Sequence, residues 1–194
     1  MKKLLLLILP IAIAYTSQAQ VEFGIKAGYN HSNFIYSGSG LGDIGSRNNF
    51  NAGIFASIPF SKHFFLQPEL VYSGQGIGAT DSIPVNIYNN YLNVPVLIKY
   101  QHQSGLFVES GPQIGFLLNS QLETIFMSTD SKNSTKSTDF SWVFSLGYKI
   151  PVVNLGIDFR YNLGLTNVAK NNYYQGSAKN AVFQLDLFYQ FKQM

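Results

Sequence analysis

The stretch LGIDFRYNLG, residues 155–164, alternates large apolar side chains with small or polar ones. Its first, third, fifth, seventh and ninth positions are Leu, Ile, Phe, Tyr and Leu, whereas Gly, Asp, Arg, Asn and Gly lie between them. Because successive side chains of a strand point to opposite faces of a sheet, this pattern predicts a β-strand with one apolar and one polar face. Asp158 and Arg160 both fall on the polar face. The fold depends on which face is turned towards the interior.

Seven other segments show the same alternation, which gives eight predicted strands. Long connections and short turns alternate between them, as in bacterial outer-membrane β-barrels. Each segment is also close to the roughly 9–11 residues that a tilted membrane strand needs. The segments are Val21–Asn33, Phe50–Ile58, Phe64–Gln75, Tyr91–Tyr100, Leu106–Leu118, Asp139–Lys149, Leu155–Thr166 and Asn180–Phe191.

The four predicted long connections are residues 34–49, 76–90, 119–138 and 167–179. Within the third, the polar stretch Ser128–Thr138 has no apolar periodicity, and we expect it to be a mobile, solvated loop.

The composition decides which face of the strands is turned outward. Hydrophobic residues make up 46% of the chain and charged residues only 12%, whereas a soluble domain usually carries about 25% charged residues. A water-soluble barrel needs a charged exterior around an apolar interior, and this chain has too few charges to cover an exterior. We therefore predict an all-β fold, an eight-stranded antiparallel up-and-down transmembrane β-barrel with its apolar faces towards lipid.

Aromatic residues are concentrated near both ends of the apolar faces, where Tyr and Phe meet lipid headgroups in membrane barrels. Strand propensity explains their number but not their position, so they favour two aromatic girdles. One predicted girdle contains Tyr29, Phe50, Tyr72, Phe116, Phe140 and Tyr161, and the other contains Phe23, Phe60, Tyr100, Tyr148 and Phe191.

The N-terminus indicates export. Lys2 and Lys3 form a short positive region, and the apolar run Leu4–Ala14 is too short to span a membrane as a helix. Ser17-Gln18-Ala19 then offers small residues for cleavage. We expect residues 1–19 to be a signal peptide and residues 20–194 to form a barrel in the outer membrane of a Gram-negative cell envelope, with both termini in the periplasm.

Three prolines lie inside predicted strands: Pro68, Pro95 and Pro112. Proline has no N–H to donate, and a closed barrel has no free edge on which to place it. We expect bulges or locally lost ladder hydrogen bonds at these points.

Several classes of site are excluded or not indicated. The chain contains no Cys, which excludes disulfides, thiol catalysis and thiolate metal sites. Without Lys2 and Lys3 it has 11 basic and 10 acidic residues and no basic run, so a nucleic-acid partner is not expected. We predict no catalytic, cofactor-binding or metal site.

The lumen is the candidate site, because nine charged residues fall on the polar faces of the strands. An eight-stranded barrel is just wide enough for side chains to fill it, and buried charges are tolerated when they are paired. We expect a plug of ion pairs and hydrogen bonds; an ion or proton pathway along the same residues is the alternative. The nine are Glu22, Lys26, Glu69, Lys99, Glu109, Lys149, Asp158, Arg160 and Asp186.

Four short motifs carry a resemblance to a known family. They are GIKAG at 24–28, QPEL at 67–70, YLNVP at 91–95 and Gly111-Pro112. They resemble recurring segments of the PorT-like outer-membrane β-barrel proteins, also described as an outer membrane protein beta-barrel domain or as porin family proteins. The resemblance covers about Gln20 to Phe191 and implies an eight-stranded barrel in the outer membrane. It implies no catalytic residues.

The last strand predicts one partner. Leu185, Leu187, Tyr189 and Phe191 are similar to the terminal signal that the outer-membrane insertion machinery reads, although any last barrel strand shows this alternation. Outer-membrane lipid and lipopolysaccharide are the other expected partners.

Three functions are compatible with the sequence. We favour a non-catalytic barrel whose long outer loops bind a protein partner or a surface ligand. A narrow solute or ion pathway is the second hypothesis. The third is an outer-leaflet lipid-modifying enzyme, because His31, Asp81 and Ser82 loosely resemble the arrangement in lipid A palmitoyltransferases; Asp and Ser are, however, also ordinary loop residues.

Overall fold

The computed structural model describes residues 20–38, 45–78, 85–124, 127–132, 134–169 and 176–191. The predicted signal peptide, residues 1–19, lies outside this range. The described residues form strands and turns, and none of them belongs to a helix long and apolar enough to cross a membrane. The strands are β1 (Glu22–Gly38), β2 (Arg47–Pro59), β3 (Phe64–Ile77), β4 (Val85–Gln101), β5 (Leu106–Thr124), β6 (Ser128–Asp130), β7 (Thr138–Ile150), β8 (Leu155–Gly164) and β9 (Gly176–Gln190).

Eight of these strands close into an antiparallel barrel, which confirms the predicted fold. Each barrel strand pairs with the next along the chain, and β5 pairs with β7 across the short β6. The first and last strands complete the ring, with Tyr29 of β1 opposite Leu185 of β9. The structure therefore has the up-and-down topology that the alternating connections predict.

The strands extend further than predicted at the end of the barrel that carries the long connections. β4 begins at Val85 rather than Tyr91, and β5 ends at Thr124 rather than Leu118. The prediction for Ser128–Thr138 was wrong in part, because Ser128–Asp130 forms β6 and pairs with β5. All three residues of β6 are exposed. This strand therefore has no buried apolar face, and its sequence shows no alternation from which it could be predicted.

The two faces of the barrel wall differ as the sequence pattern predicts. In β7 the side chains alternate strictly between exposed and buried from Thr138 to Ile150. Leu146 on the outward face is 51% exposed, whereas Ser145 beside it is buried. The residues of both predicted girdles also lie on the outward face, where each is exposed or half-buried.

The three prolines interrupt the pairing of neighbouring strands without shifting their register. Between β2 and β3 the pairing stops after Phe55 and Glu69 and resumes at Ile58 and Leu66. Similar interruptions follow on either side of β4, near Pro95 and Pro112. The expected loss of ladder bonds is confirmed. The register shift of β4 lies elsewhere, between Asn90 and Tyr91.

Candidate functional site

Arg160 is the centre of the charge network in the lumen. It projects inward from β8 and is 3% exposed. Its two Nη atoms bind both oxygens of Glu69, at 2.7 and 3.0 Å. Its Nη2 also donates to Asp158 at 3.0 Å and to Glu109 at 3.1 Å. A planar guanidinium with several donors is suited to bind more than one carboxylate, so this single side chain connects three strands.

Lys26 of β1 forms the second centre. Its Nζ lies 2.8 Å from Asp186, 3.4 Å from Asp158 and 3.6 Å from Glu69. It therefore shares two carboxylates with Arg160. The shared carboxylates join the two cations into one network.

Lys99 of β4 closes the network on the opposite wall. Its Nζ lies 3.2 Å from Glu109 and donates to the side-chain oxygen of Gln67 at 3.3 Å. The Gln67 amide in turn donates to Glu69 and to Glu109, at 2.9 Å each. Ser145 donates a further hydrogen bond to Asp158. The buried carboxylates are thus satisfied from several strands, as buried charges require.

The nine charged residues of the predicted site form two groups. Glu22 and Lys149 form a separate pair, 3.8 Å apart, at the end of the barrel with the short turns. The Glu22 side chain is 40% exposed, and Gln190 contacts both residues of the pair. The other seven, four acids and three bases, form the continuous central network: Lys26, Glu69, Lys99, Glu109, Asp158, Arg160 and Asp186.

Three inward phenylalanines that the sequence pattern does not predict lie below the charges, towards the short turns. Phe55, Phe107 and Phe188 are each 6% exposed or less. The ring of Phe188 contacts the other two edge-to-face, with centroid distances of 5.9 and 5.7 Å. Lys99 Nζ lies 3.9 Å from the centroid of the Phe107 ring, so a cation–π contact joins the aromatic cluster to the charge network.

Each of these rings lies over a glycine of the neighbouring strand. The cross-strand pairs are Gly24–Phe55, Phe107–Gly147 and Gly156–Phe188. A Cβ atom at any of the three glycines would lie 2.2 Å from the ring. The glycines therefore provide the space that the rings fill.

The charges and the rings together leave little free space. A cavity of ≈ 10 Å³ lies between them, lined by residues of both groups, among them Lys26, Glu109 and Phe188. That volume holds about one water molecule. Side chains therefore fill the lumen at this level.

A layer of amides covers the network on the side of the long connections. Asn51 donates to Asp186 at 2.8 Å and to Asn30 at 2.7 Å. Gln184 also donates to Asn30, at 2.8 Å. Beyond this layer the buried Asp139 accepts bonds from Asn180 and Thr166. These buried residues continue the hydrogen-bonded network along the lumen. Most of them carry no charge, so the charge pattern of the sequence does not predict them as part of the site.

No metal site is indicated by the described residues, since no group of three or more His, Asp or Glu could hold an ion. Of the three alternative catalytic residues, His31 is the one that lies within the described residues. His31 is exposed and its Nδ1 contacts the Asn48 amide oxygen at 2.9 Å. Asp81 and Ser82 lie outside the described residues.

The model of one protein family matches residues 16–170, and its description is outer membrane protein beta-barrel domain. The chain belongs to this family. Membership places the barrel in the outer membrane, where short turns face the periplasm and long connections face outward. The search of curated proteins gives no match.

Solved structures agree on the fold of this outer-membrane barrel. Neisserial surface protein A matches with a TM-score of 0.54 and 13% identity, over 89% of this chain and 99% of that one. Ail of Yersinia pestis, in complex with the heparin analogue sucrose octasulfate, matches with a TM-score of 0.51 and 16% identity, over 89% of this chain and 99% of that one. OprG of Pseudomonas aeruginosa matches with a TM-score of 0.52 and 11% identity, over 90% of this chain and 98% of that one. At these identities the likeness shows the fold alone.

The extracellular ends of the strands form a polar rim above the membrane. Arg47 lies over the ring of Tyr88, 3.4 Å from its centroid. The Tyr88 hydroxyl donates to Glu123 at 2.5 Å, and this hydrogen bond raises the pKa of Tyr88 above its ordinary value. These contacts of Arg47, Tyr88 and Glu123 connect β2, β4 and β5 on the extracellular side of the apolar band.

Proposed function

We propose that this protein is a non-catalytic outer-membrane barrel with a plugged lumen, whose extracellular strand ends and loops bind a surface ligand or partner. The observation that carries the proposal is the filled cross-section of the lumen. Arg160 and Lys26 connect carboxylates from opposite walls. The cavity beside them is ≈ 10 Å³. Transport through a barrel of this kind would require a buried ion network to be broken, which is costly.

The extracellular end supports the binding part of the proposal. Strands β4 and β5 extend beyond the apolar band, and β6 beside them presents an exposed polar surface that includes Thr129 and Asp130. Binding residues are often carried on loops that a rigid scaffold positions. We infer that lipopolysaccharide or a protein at the cell surface binds here. Ail was solved with a heparin analogue, which makes a sulfated or phosphorylated saccharide a reasonable first ligand to test.

Assignment to the PorT-like group within the family remains a prediction from the motifs. The GIKAG and QPEL segments contribute Lys26 and Glu69 to the charge network. These two motif residues are therefore accounted for by the plug. The signal peptide and recognition by the insertion machinery likewise remain predictions.

Crosslinking in intact cells tests the proposed function. A photoreactive amino acid replaces the exposed Thr129 in β6, and the matched control places it at Val152, which is 88% exposed in a periplasmic turn. We expect a discrete adduct with lipopolysaccharide or one surface protein from position 129 and not from position 152. The same adducts from both positions, or none from position 129, would contradict extracellular binding.

A further inference from the structure

Strand β6 is an edge strand at the extracellular end of the barrel. Among the described residues it pairs with β5 alone, whereas each strand of the closed ring has a neighbour on both sides. Natural proteins commonly block such an edge with Pro, Lys or a bulge. The sequence Ser128-Thr129-Asp130 contains neither Pro nor Lys, its pairing with β5 has no bulge, and its three residues are exposed. The edge is therefore open to a further strand.

Hydrogen bonds hold β6 against β5 at both of its ends. The Thr124 N–H donates to the Met127 carbonyl at 2.8 Å. The Ser131 N–H donates to the Ser120 carbonyl at 3.0 Å. Residues 128–130 lie between these bonds and form three consecutive pairs with β5. The ladder is therefore continuous along the whole of β6.

The ladder also fixes which main-chain groups of β6 are turned away from β5. Hydrogen-bonded and non-bonded pairs alternate along an antiparallel ladder. Met127 and Ser131 are both in hydrogen-bonded pairs. Thr129, two residues from each, is then also in a hydrogen-bonded pair, and Ser128 and Asp130 are in non-bonded pairs. The N–H and C=O groups of Ser128 and Asp130 therefore point towards the open edge.

Buried side chains hold this edge in place. Ser120 of β5 is 0% exposed, and its hydroxyl donates to the Asn89 amide oxygen of β4 at 2.8 Å. The same hydroxyl lies 2.8 Å from that of Ser131 and 3.1 Å from that of Thr135, in the segment that follows β6. An edge that is already formed reduces the entropy lost when a partner binds.

An apolar row leads across the sheet to the open edge. Ile77 of β3 is opposite Ile87 of β4, and Ile87 is opposite Leu122 of β5. Each of these three side chains is half-buried. Leu122 is in turn opposite Thr129 of β6, and residues opposite each other share a face of the sheet. A strand added beside β6 would place one side chain next to Thr129, where an apolar or β-branched residue extends the row.

An extended polypeptide is the ligand that fits this edge. The free N–H and C=O groups repeat every second residue, about 7 Å apart along the strand, and another strand presents matching groups at the same spacing. A saccharide does not present alternating amide donors and acceptors in this way. We propose that β6 binds an extended segment of another protein at the cell surface, which adds a strand to the extracellular sheet. Binding of this kind rests on the proposed function and specifies its partner as a protein rather than lipopolysaccharide.

Proline substitutions in the crosslinking experiment test the main-chain contact. Intact cells carry the photoreactive amino acid at position 129 together with Asp130→Pro, and Asp130→Ala is the matched control. Proline removes the N–H that points to the open edge and leaves the bonds to β5 intact, a place where strands tolerate it. Alanine removes only the side chain. Asp130→Pro should reduce the yield of the protein adduct about fivefold, as expected for one lost main-chain hydrogen bond, and Asp130→Ala should not reduce it.

A second pair of variants keeps the comparison valid if Asp130 has a structural role. The Asp130 carboxylate accepts the Lys132 N–H at 2.8 Å, so its removal could disturb the end of β6. Ser128→Pro and Ser128→Ala repeat the comparison at the other free N–H. Faster migration of the unheated sample on a gel verifies that each variant is folded.

The adducts distinguish the added strand from the other ways of binding at this end. Loss of the protein adduct from both proline variants, but from neither alanine variant, supports the added strand. Equal adduct yields from the proline and alanine variants, whether retained or lost, would overturn it, because the free main-chain groups would then not contribute. An adduct of position 129 with lipopolysaccharide would overturn the added strand and leave the proposed function in place. No adduct from position 129 would contradict both.

Discussion

Arg160 and Glu69 meet across the full width of the lumen, with both guanidinium Nη atoms bonded to the two carboxylate oxygens at 2.7 and 3.0 Å. Their strands, β8 and β3, are four steps apart in either direction around the ring. This pair therefore joins opposite walls of the barrel. Because the pairing of β2 with β3 is interrupted near Pro68, the pair also stabilises the wall beside that interruption.

Arg160→Ala should lower the free energy of unfolding by about 3–5 kcal/mol, because it leaves Glu69 and Asp158 buried without their main cation and removes one of the two cations that bind Glu109. Urea titration of the barrel in lipid vesicles measures this. Lys136→Ala, in the third outer connection, is the control and should change the free energy by no more than about 0.5 kcal/mol. Equal losses from the two substitutions would show that the network does not stabilise the barrel.

Gly156→Ala should destabilise the barrel by about 1–3 kcal/mol, since its Cβ would lie 2.2 Å from the Phe188 ring and 2.7 Å from the Tyr148 carbonyl oxygen. Phe188→Leu should reduce that cost by removing the ring contact, although the carbonyl contact remains. The measurement is a double-mutant cycle, with an expected coupling of about 0.5–3 kcal/mol. Strict additivity would mean that Phe188 does not pack on Gly156.

Leu146, Phe159 and Leu185 form one outward row across three neighbouring strands. Arg at Leu146 or Leu185 should cost roughly 2–4 kcal/mol if the row lies near the bilayer centre. The chain has no Cys, so a cysteine introduced at one position can be labelled without a competing thiol. A fluorophore at position 146 or 185 should be quenched by brominated lipid, whereas one at Val152 should be quenched by iodide. The reverse pattern would place these leucines in water.

The sequence was sufficient to predict the strands that cross the apolar band, because period-two alternation is imposed there by lipid on one side and the lumen on the other. It did not predict the outer ends. Residues 85–90 of β4 and 119–124 of β5 pair with each other above that band, and β6 is exposed throughout. The outer ends of these strands meet water instead of lipid, so their outward side chains need not be apolar. Backbone hydrogen bonds define these strands, and such bonds do not require an alternating sequence pattern.

The same limit applies to the lumen. Charge on the polar face was enough to select Glu69 and Arg160, but their pairing depends on which strands lie opposite in the closed ring. Phe188 was missed because its neighbours Leu187 and Tyr189 are also apolar, so the alternation disappears locally. Its partner Gly156 is defined by the β8–β9 register, which is a property of the folded barrel.

Conductance in planar lipid bilayers tests the plugged lumen most directly. Purified full-length protein, shown to be folded by its faster migration on an unheated gel, is inserted in concentrated potassium chloride. We expect no discrete conductance steps above the bare bilayer, because Arg160, Lys26 and the three inward phenylalanines fill the cross-section. Stable, reproducible steps from the wild-type protein would contradict the plug and establish a pathway through the lumen.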